Sequence, residues 1–234
     1  MLNIKAKIIT LKDNELSERV AKDCIAQAAR FGVSVEIFDA INGFDANFHL
    51  DALNIKPLTK FKKGRVGIVG CFLSHYYLWL DCIKDNTPYI ILEHDGYFIK
   101  PLPENILDSF DDIIKLDSGN PYKNSYNSWI SEHENDTPSI WTIKNHEGGG
   151  GLGQTDAGWH TMGAYAYIIK PHAAEKLVTW VKVNGFLPTD WLIGADVVNI
   201  THYSPTIARL HPLYAVDGNV KKLSLTMHLE TYDK

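Results

Sequence analysis

Apolar and polar residues alternate along the first third of the chain in a pattern that predicts strands and helices in turn. Residues 4–11 form an apolar stretch typical of a strand, and apolar side chains then recur at near-helical spacing over residues 16–31. Asp13 is placed to cap this helix, and Gly32 is placed to end it. Residues 33–38 alternate again, which predicts a second strand.

The next part of the chain repeats this order of elements. A glycine-punctuated segment over 64–69 opens a helix predicted over 71–84, whose apolar residues share one face. An unbroken apolar run then covers 89–92, as in strands that are buried on both faces of a parallel sheet. A further strand is predicted over 112–116. The pattern is that of a repeated β/α fold.

The segment 118–162 interrupts the alternation, because it is rich in Asn, Ser, Gly, His and Trp. We interpret it as a long embedded loop, either a mobile lid or acceptor loop or a disordered stretch. Its glycines at 148, 150 and 153 satisfy G-x-G-x-x-G. No apolar strand precedes them and no amphipathic helix follows, so the dinucleotide-binding interpretation fails.

Regular elements resume after this segment. A strand is predicted over 164–170, a helix over 171–183 with Pro171 in its first turn, and a last strand over 206–210. The whole pattern predicts an α/β fold with a Rossmann-type mixed sheet flanked by helices. We expect one domain over 1–217, followed by a polar tail over 218–234.

Composition narrows the possible functions. The chain has 234 residues, of which 45% are hydrophobic, and a net charge of −5, so it can bury a core and has no basic excess for nucleic acid. No apolar run reaches the roughly 18 residues of a membrane helix. The cysteines Cys24, Cys71 and Cys82 are odd in number and form no C-x-x-C. This count argues against a disulfide framework or a cysteine-zinc site, and it predicts a reducing, cytoplasmic location.

The most informative motif is Glu93-His94-Asp95, at the end of the buried strand. Because side chains alternate along a strand, we expect the two carboxylates to point to the same side. Two carboxylates at the carboxyl end of a strand suit Mg²⁺ or Mn²⁺. The alternative is a set of ordinary polar loop residues after a core strand.

Other candidate residues are weaker signals. Ser74 and His75 lie where the first turns of the second helix can reach an anionic ligand, or they are a cap and a core histidine. Cys71 is interpreted as a packed small side chain rather than a nucleophile. Asp190 is either a general base or a helix cap. His211 is a candidate for a late metal ligand.

Taken together, these segments resemble glycosyltransferase family 25, the lipopolysaccharide and collagen galactosyltransferase family. The resemblance rests on the N-terminal IITLKDNELSERV, the turn D-A-I-N-G at 39–43 and the block G-I-V-G-C-F-L-S-H at 67–75. It continues with L-E-H-D at 92–95, a glycine-led strand with an alanine-rich helix over 163–177, and P-T-D at 188–190. It covers nearly the whole chain.

The resemblance implies a GT-A-like fold and an inverting glycosyltransferase. Such an enzyme moves a hexose, galactose or glucose, from a UDP-sugar donor to a saccharide or other hydroxyl acceptor, with Mn²⁺ or Mg²⁺, as in lipopolysaccharide biosynthesis. Glu93, Asp95 and His211 are then the candidate metal ligands, and Asp190 is the candidate base. The candidate nucleotide-binding residues are Thr10, Leu11, Arg19, Ala40, Asn42, Gly43, Ser74 and His75.

One departure from the family pattern opens an alternative. His94 stands where the family usually has an acid, although Glu93 and Asp95 are kept, so we expect metal binding to survive. The alternative is a catalytically inactive nucleotide-sugar- or glycan-binding protein on the same fold. A nucleotidyltransferase is a third possibility, but it needs a glycine-bearing loop after the first strand, and residues 11–14 have no glycine.

Overall fold

A mixed β-sheet lies between helices in the computed structural model of the chain, which describes residues 3–56, 66–117, 139–142, 152–161 and 163–215. The strands within these residues are β1 Lys5–Thr10, β2 Val35–Asp39, β3 Tyr89–Glu93, β4 Gly96–Phe98, β5 Ile113–Lys115, β6 Ser139–Thr142, β7 Leu152–Thr155, β8 Gly158–Thr161, β9 Ala166–Ile169, β10 Ile200–Ser204 and β11 Ala208–Leu210. The α-helices are α1 Glu15–Arg30, α2 Ala46–Leu53, α3 Val66–Asp85, α4 Pro171–Asn184, α5 Thr189–Leu192 and α6 Pro212–Ala215.

The main sheet has seven strands in the order β2-β1-β3-β9-β5-β10-β6. Strands β1, β2 and β3 are parallel, β9 is antiparallel to both of its neighbours, β10 is parallel to β5, and β6 closes the sheet antiparallel to β10. The α/β class with a mixed sheet flanked by helices is therefore confirmed. The carboxyl ends of β1, β2, β3, β5 and β10 all lie at one edge of the sheet.

The sheet separates two hydrophobic cores. Strand β3 is apolar on both faces, as its unbroken pattern predicted. Its Tyr89 and Ile91 pack with α3 and α4 on one side, while Ile90 and Leu92 pack with α1 on the other. A strand buried on both faces holds its carboxyl end rigidly at the edge of the sheet.

The start of α1 differs from the prediction by one residue. Asn14, not Asp13, caps the helix, and its side chain accepts a hydrogen bond from the Ser17 amide. Asp13 instead adopts a left-handed φ of 62°, and its amide donates to Glu18. Asp13 therefore lies in the turn before the cap. The first turn of α4 is confirmed, with Pro171 at its start.

The segment 118–162, predicted to be a loop, contains three strands in its described parts. β6 extends the main sheet, and β7 pairs with β8 in a separate hairpin. The sequence pattern also missed β10, which lies inside the main sheet. Residues 118–138, the glycine run at 148–151 and the tail from 216 lie outside the described residues, so the predicted domain boundaries stay a prediction.

Helix α3 begins at Val66, five residues before the helix predicted at Cys71. By length and composition alone it could cross a membrane, yet 56% of its most apolar window is buried inside the protein. Core helices commonly have this character, because a helix that is apolar all round is buried either in protein or in lipid.

Candidate functional site

A cleft of about 370 Å³ opens at the carboxyl edge of the sheet, beyond the ends of β1, β2 and β3. It is lined by residues 11–14, 40–44 and 93–95 and by the first turns of α3. The chain leaves β1 towards β2 on one side and later returns to β3 on the other, so strand order reverses at this point. In open α/β sheets, ligands bind in such crevices.

The loop over 40–44 is held against α3 by close backbone contact. A Cβ atom on Gly43 would lie 2.0 Å from the Val66 carbonyl oxygen, and one on Gly70 would lie 2.6 Å from the Ile41 oxygen. Ser74 Oγ accepts the Ile41 amide at 2.9 Å and donates to the Gly70 carbonyl at 2.7 Å. The two glycines and the serine therefore shape the wall of the cleft.

The structure brings together most of the residues predicted to bind the nucleotide. Those that line the cleft are Leu11, Ala40, Asn42, Gly43 and Ser74. Thr10 lies just behind it, buried, with its carbonyl accepting the Ala40 amide at 2.9 Å. Arg19 is exposed on α1, outside this lining.

Glu93, His94 and Asp95 all line the cleft. Glu93 ends β3, and the chain then turns directly into β4, so Asp95 lies in the turn rather than on the strand. Asp95 is buried, and its Oδ1 has no hydrogen-bond partner among the described residues. Burial, and then the charge of Glu93, raise the pKa of Asp95 to about 8. Among the described residues, no side chain of opposite charge offsets the burial of this carboxyl group; a backbone hydrogen bond only partly favours its charged form.

The neighbours of Asp95 are affected differently. Burial opposes ionisation of Glu93, but the His75 imidazole beside it holds the pKa of that carboxyl below its ordinary value. Burial lowers the pKa of His94 to about 4, so this imidazole is neutral near pH 7. His94 therefore places no positive charge beside the two carboxyl groups.

His75 lies behind the cleft wall rather than in its lining. It is fully buried, its Nδ1 is 2.8 Å from the Tyr167 hydroxyl, and its Nε2 is 3.4 Å from Glu93 Oε1. Cys71, one helical turn earlier on α3, lies with its Sγ 3.8 Å from the same Glu93 oxygen. Burial first, and then the charge of Glu93, raise the pKa of the Cys71 thiol. A raised pKa disfavours the thiolate, which is the form in which a cysteine acts as a nucleophile.

His211 is connected to the acidic turn through its backbone. Its amide donates to the Asp95 carbonyl at 2.7 Å, while its ring packs edge-on against Tyr97 at 5.2 Å. His211 Nε2 lies 3.8 Å from Asp23 on α1. Its imidazole is therefore directed towards α1, and its role as a metal ligand stays a prediction.

Asp190 lies in the first turn of the short helix α5, beside the cleft. Its Oδ2 accepts the Gly163 amide at 3.3 Å, and its charge acts on the Cys71 thiol. The preceding Thr189 hydroxyl is 3.9 Å from Cys71 Sγ. Asp190 therefore lies near the lining residues without belonging to them, which leaves its role as a base open.

Sequence reasoning missed two features of this site. Phe44 lines the cleft with 58% of its surface exposed, and Cys71 faces Glu93 rather than the apolar core. The signal available for Phe44 was its position, an aromatic residue directly after the D-A-I-N-G turn. Nothing local marked Cys71, because its contact with Glu93 joins residues that are far apart in sequence.

Comparison with known proteins adds a family match. Residues 4–193 match the family model described as glycosyltransferase family 25 (LPS biosynthesis protein). The chain is 27% identical over 168 residues to human procollagen galactosyltransferase 2, and 26% identical over the same length to its mouse counterpart. These matches cover 68% of this chain, but the chain spans only about a quarter of the length of those relatives.

Among solved structures, the chain is similar to a glycosyltransferase of 10% sequence identity. That protein is involved in the glycosylation of the major capsid of PBCV-1, and the TM-score is 0.32. The match covers 76% of this chain and 66% of that chain.

Proposed function

The chain belongs to glycosyltransferase family 25, and from this premise we propose that it transfers a hexose from a UDP-sugar to a hydroxyl group of a saccharide or other acceptor. Galactose is the first candidate and glucose the second. The two mammalian relatives are named as galactosyltransferases, which supports this order. We propose that the transfer inverts the anomeric carbon and is assisted by Mn²⁺ or Mg²⁺.

The observation that carries the proposal is the cleft at the reversal of strand order, with two carboxyl groups, those of Glu93 and Asp95, in its lining. The cleft also reaches the start of α1, where Asn14 is the helix cap and a lining residue. Unpaired amide groups at a helix N-terminus favour an anion such as a diphosphate. The exposed Phe44 ring offers a face on which a nucleobase can stack.

The residues present fit a hard divalent cation. Asp95 Oδ1 is a buried oxygen with no described partner, and Glu93 lies beside it in the lining. Carboxylate oxygens are the ligands that Mg²⁺ and Mn²⁺ prefer. When bound, the cation would neutralise charge that develops on the departing nucleoside diphosphate. Glu93 and Asp95 would hold it, and the neutral His94 would not repel it.

Asp190 is the proposed general base on the acceptor side. The Gly163 amide donates to its Oδ2, and its Oδ1 would accept the proton from an acceptor hydroxyl. As the acceptor oxygen bonds to the anomeric carbon, its proton passes to Asp190 and the bond from that carbon to the diphosphate breaks. General-base assistance typically contributes about 10²- to 10⁴-fold in rate.

Donor hydrolysis and transfer to simple sugars, with and without Mn²⁺, test the proposal. We expect turnover of UDP-galactose, and a fall of about 10²- to 10⁴-fold in Asp190→Asn with the donor affinity kept. The exposed Asp111, at the opposite edge of the sheet, supplies the matched control Asp111→Asn. Equal turnover in Asp190→Asn and in the wild type would show that Asp190 is not the base.

The alternative function is an inactive nucleotide-sugar-binding protein on the same fold, which the histidine in the acidic motif motivates. It predicts a rise in melting temperature with UDP-sugars but no donor hydrolysis. A measurable hydrolysis rate that Asp95→Ala abolishes would eliminate this alternative. No thermal shift with any nucleoside diphosphate or nucleotide sugar would contradict both functions.

A further inference from the structure

Three side chains of different chemistry converge on one point at the back wall of the cleft. The Cys71 thiol, the His75 imidazole and the Glu93 carboxylate each place one ligand atom within 4.8 Å of the other two. Glu93 Oε1 lies 3.8 Å from Cys71 Sγ and 3.4 Å from His75 Nε2. The cleft wall exposes Cys71, so the point can be reached from solvent.

These distances are close to those of a tetrahedral zinc site. Zinc bonds of about 2.3 Å to sulfur and about 2.0–2.2 Å to nitrogen or oxygen place ligand atoms roughly 3.3–3.6 Å apart at tetrahedral angles. The two measured distances differ from this range by a few tenths of an ångström at most. Cys71 and His75 are four residues apart on α3, which puts both on one face of the helix.

His75 is already held in place for such a role. It is fully buried, and its Nε2 has no hydrogen-bond partner among the described residues. Its ring stacks on Tyr167 at 5.7 Å, and its Nδ1 contacts the Tyr167 oxygen, which also accepts the Trp79 indole N–H at 2.9 Å. When a metal binds, that oxygen can accept the Nδ1 proton as well, so that the Nε2 lone pair becomes available to the metal. Metal-binding histidines are commonly oriented in this way.

We propose that Cys71, His75 and Glu93 form a zinc site, and that zinc bound there inhibits the enzyme. Binding releases the thiol proton to solvent, and sulfur, nitrogen and oxygen lone pairs enter the zinc coordination shell. The fourth position faces the cleft and takes water. A thiolate and an imidazole select zinc over manganese, which prefers oxygen ligands.

Inhibition follows because the two metals compete for one side chain. Zinc would take Glu93 away from the Glu93–Asp95 pair that we propose for the hard cation. This consequence for activity rests on the proposed function, whereas zinc binding itself does not. The absence of a C-x-x-C motif argued against a cysteine-zinc site in the sequence, but the fold assembles a mixed ligand set from one helix and one strand end.

Cobalt, a spectroscopic substitute for zinc, tests the site without any sugar donor. Metal-free wild-type protein titrated with Co²⁺ should show a thiolate-to-cobalt charge-transfer band that saturates at equimolar metal and disappears when Zn²⁺ is added. Cys71→Ser should lose this band, and its zinc affinity should fall at least about tenfold. Cys82→Ser is the matched control, because Cys82 is a buried cysteine on the same helix and should keep the band.

Several outcomes would overturn the zinc site. The first is that the wild-type protein shows no cobalt band. The second is that Cys71→Ser binds zinc as tightly as the wild type does. The third is that Cys82→Ser loses the band. A thermal melt of each variant checks that it is folded. Because Cys71 is only partly enclosed, we expect Cys71→Ser to fold, and Glu93→Gln is a second variant that should also lose zinc affinity.

The proposed inhibition by zinc is tested by donor hydrolysis. For each variant, the rate with zinc is divided by the rate of the same variant without zinc. The ratio should fall for the wild type and for Cys82→Ser, and it should stay near unity for Cys71→Ser. Equal inhibition of Cys71→Ser would show that zinc acts elsewhere. A cobalt band without donor turnover would contradict the proposed function and leave the zinc site standing.

Discussion

Two buried aspartates at opposite edges of the sheet differ in how the protein stabilises their charge. Asp112 precedes β5 at the amino edge, and its carboxylate contacts the Asn199 amide at 2.8 Å, Lys176 Nζ at 2.7 Å and His172 Nε2 at 2.8 Å. Asp95 follows β3 at the carboxyl edge, and its Oδ1 has no such partner among the described residues.

The pKa values of the two aspartates reflect this difference in partners. Burial opposes ionisation of Asp112, but the Asn199 amide and then Lys176 lower the pKa of its carboxyl below the ordinary value. Burial and the Glu93 charge raise the pKa of Asp95. A buried carboxylate with a complete set of partners is a structural element, whereas one without them, in a cleft, is a candidate ligand site. On this comparison, Asp112 has the environment of a structural carboxylate, and Asp95 has that of a candidate ligand.

The largest expected effect is on activity, in Asp95→Asn. Loss of one carboxylate from the proposed metal pair should lower donor hydrolysis at least about 100-fold, because electrostatic stabilisation of the leaving group is typically worth that much. The stability should not fall, because burial disfavours the charge that the substitution removes. Initial rates at saturating UDP-galactose and Mn²⁺, with a thermal melt of the same samples, measure both. A variant that keeps full activity would mean that Asp95 does not hold the cation.

The second effect is on stability, in Asp112→Asn. An amide keeps the shape of the side chain but loses the charge that Lys176 and the Asn199 amide stabilise. Hydrogen bonds to charged groups contribute about 1.5–3 kcal/mol, so we expect a loss of about 2 kcal/mol in the free energy of unfolding. Urea denaturation measures it as a lower midpoint at unchanged slope. UDP affinity should be unchanged, and a weaker affinity would show that the two edges are coupled.

Sequence reasoning was accurate where structure depends on local pattern. The apolar run of β3 was confirmed, and so was the α/β class, because burial on one or both faces of a strand is visible in consecutive residues. The family resemblance was confirmed by the match over residues 4–193. The family resemblance placed Asn42 and Gly43 among the nucleotide-binding residues; both line the cleft, and their binding of a nucleotide stays a prediction.

Sequence reasoning failed where contacts join residues that are far apart in the sequence, and where the chain turns at the end of a strand. The alternation that placed Glu93 and Asp95 on one side of a strand does not hold beyond Glu93, because the chain turns there into β4. The hydrogen bond between Ser74 and Ile41 joins residues that are 33 positions apart in the sequence. The contact between Cys71 and Glu93 joins residues that are 22 positions apart. No local pattern encodes such pairs, so the convergence of Cys71, His75 and Glu93 becomes visible only in the folded chain.

The third effect concerns pH and again uses Asp112. Its pKa is lower in the folded chain than in the unfolded chain, where it is about 3.9. Between these two values the unfolded state binds more protons, so stability rises with pH. The contribution is fully present above about pH 4, and it is lost as pH falls through the folded pKa. The difference in unfolding free energy between wild type and Asp112→Asn should therefore shrink below about pH 4. A constant difference down to the acid limit would mean that the charge of Asp112 contributes nothing.

The smallest effect is expected from Lys176→Met, which separates the partners of Asp112. The Lys176 side chain is 46% exposed, so solvent screens its charge, and the Asn199 amide and His172 remain to stabilise the carboxylate. We expect a loss of about 0.5–1 kcal/mol, as for partly exposed ion pairs, which shrinks further in high salt because the pair is screened. Urea denaturation at low and high salt, alongside Asp112→Asn, measures it. If Lys176→Met is as destabilising as Asp112→Asn and insensitive to salt, the ion pair rather than the backbone amide stabilises the buried charge. The stabilisation of the Asp112 charge, which distinguishes this residue from Asp95, would then depend on the Lys176 side chain alone.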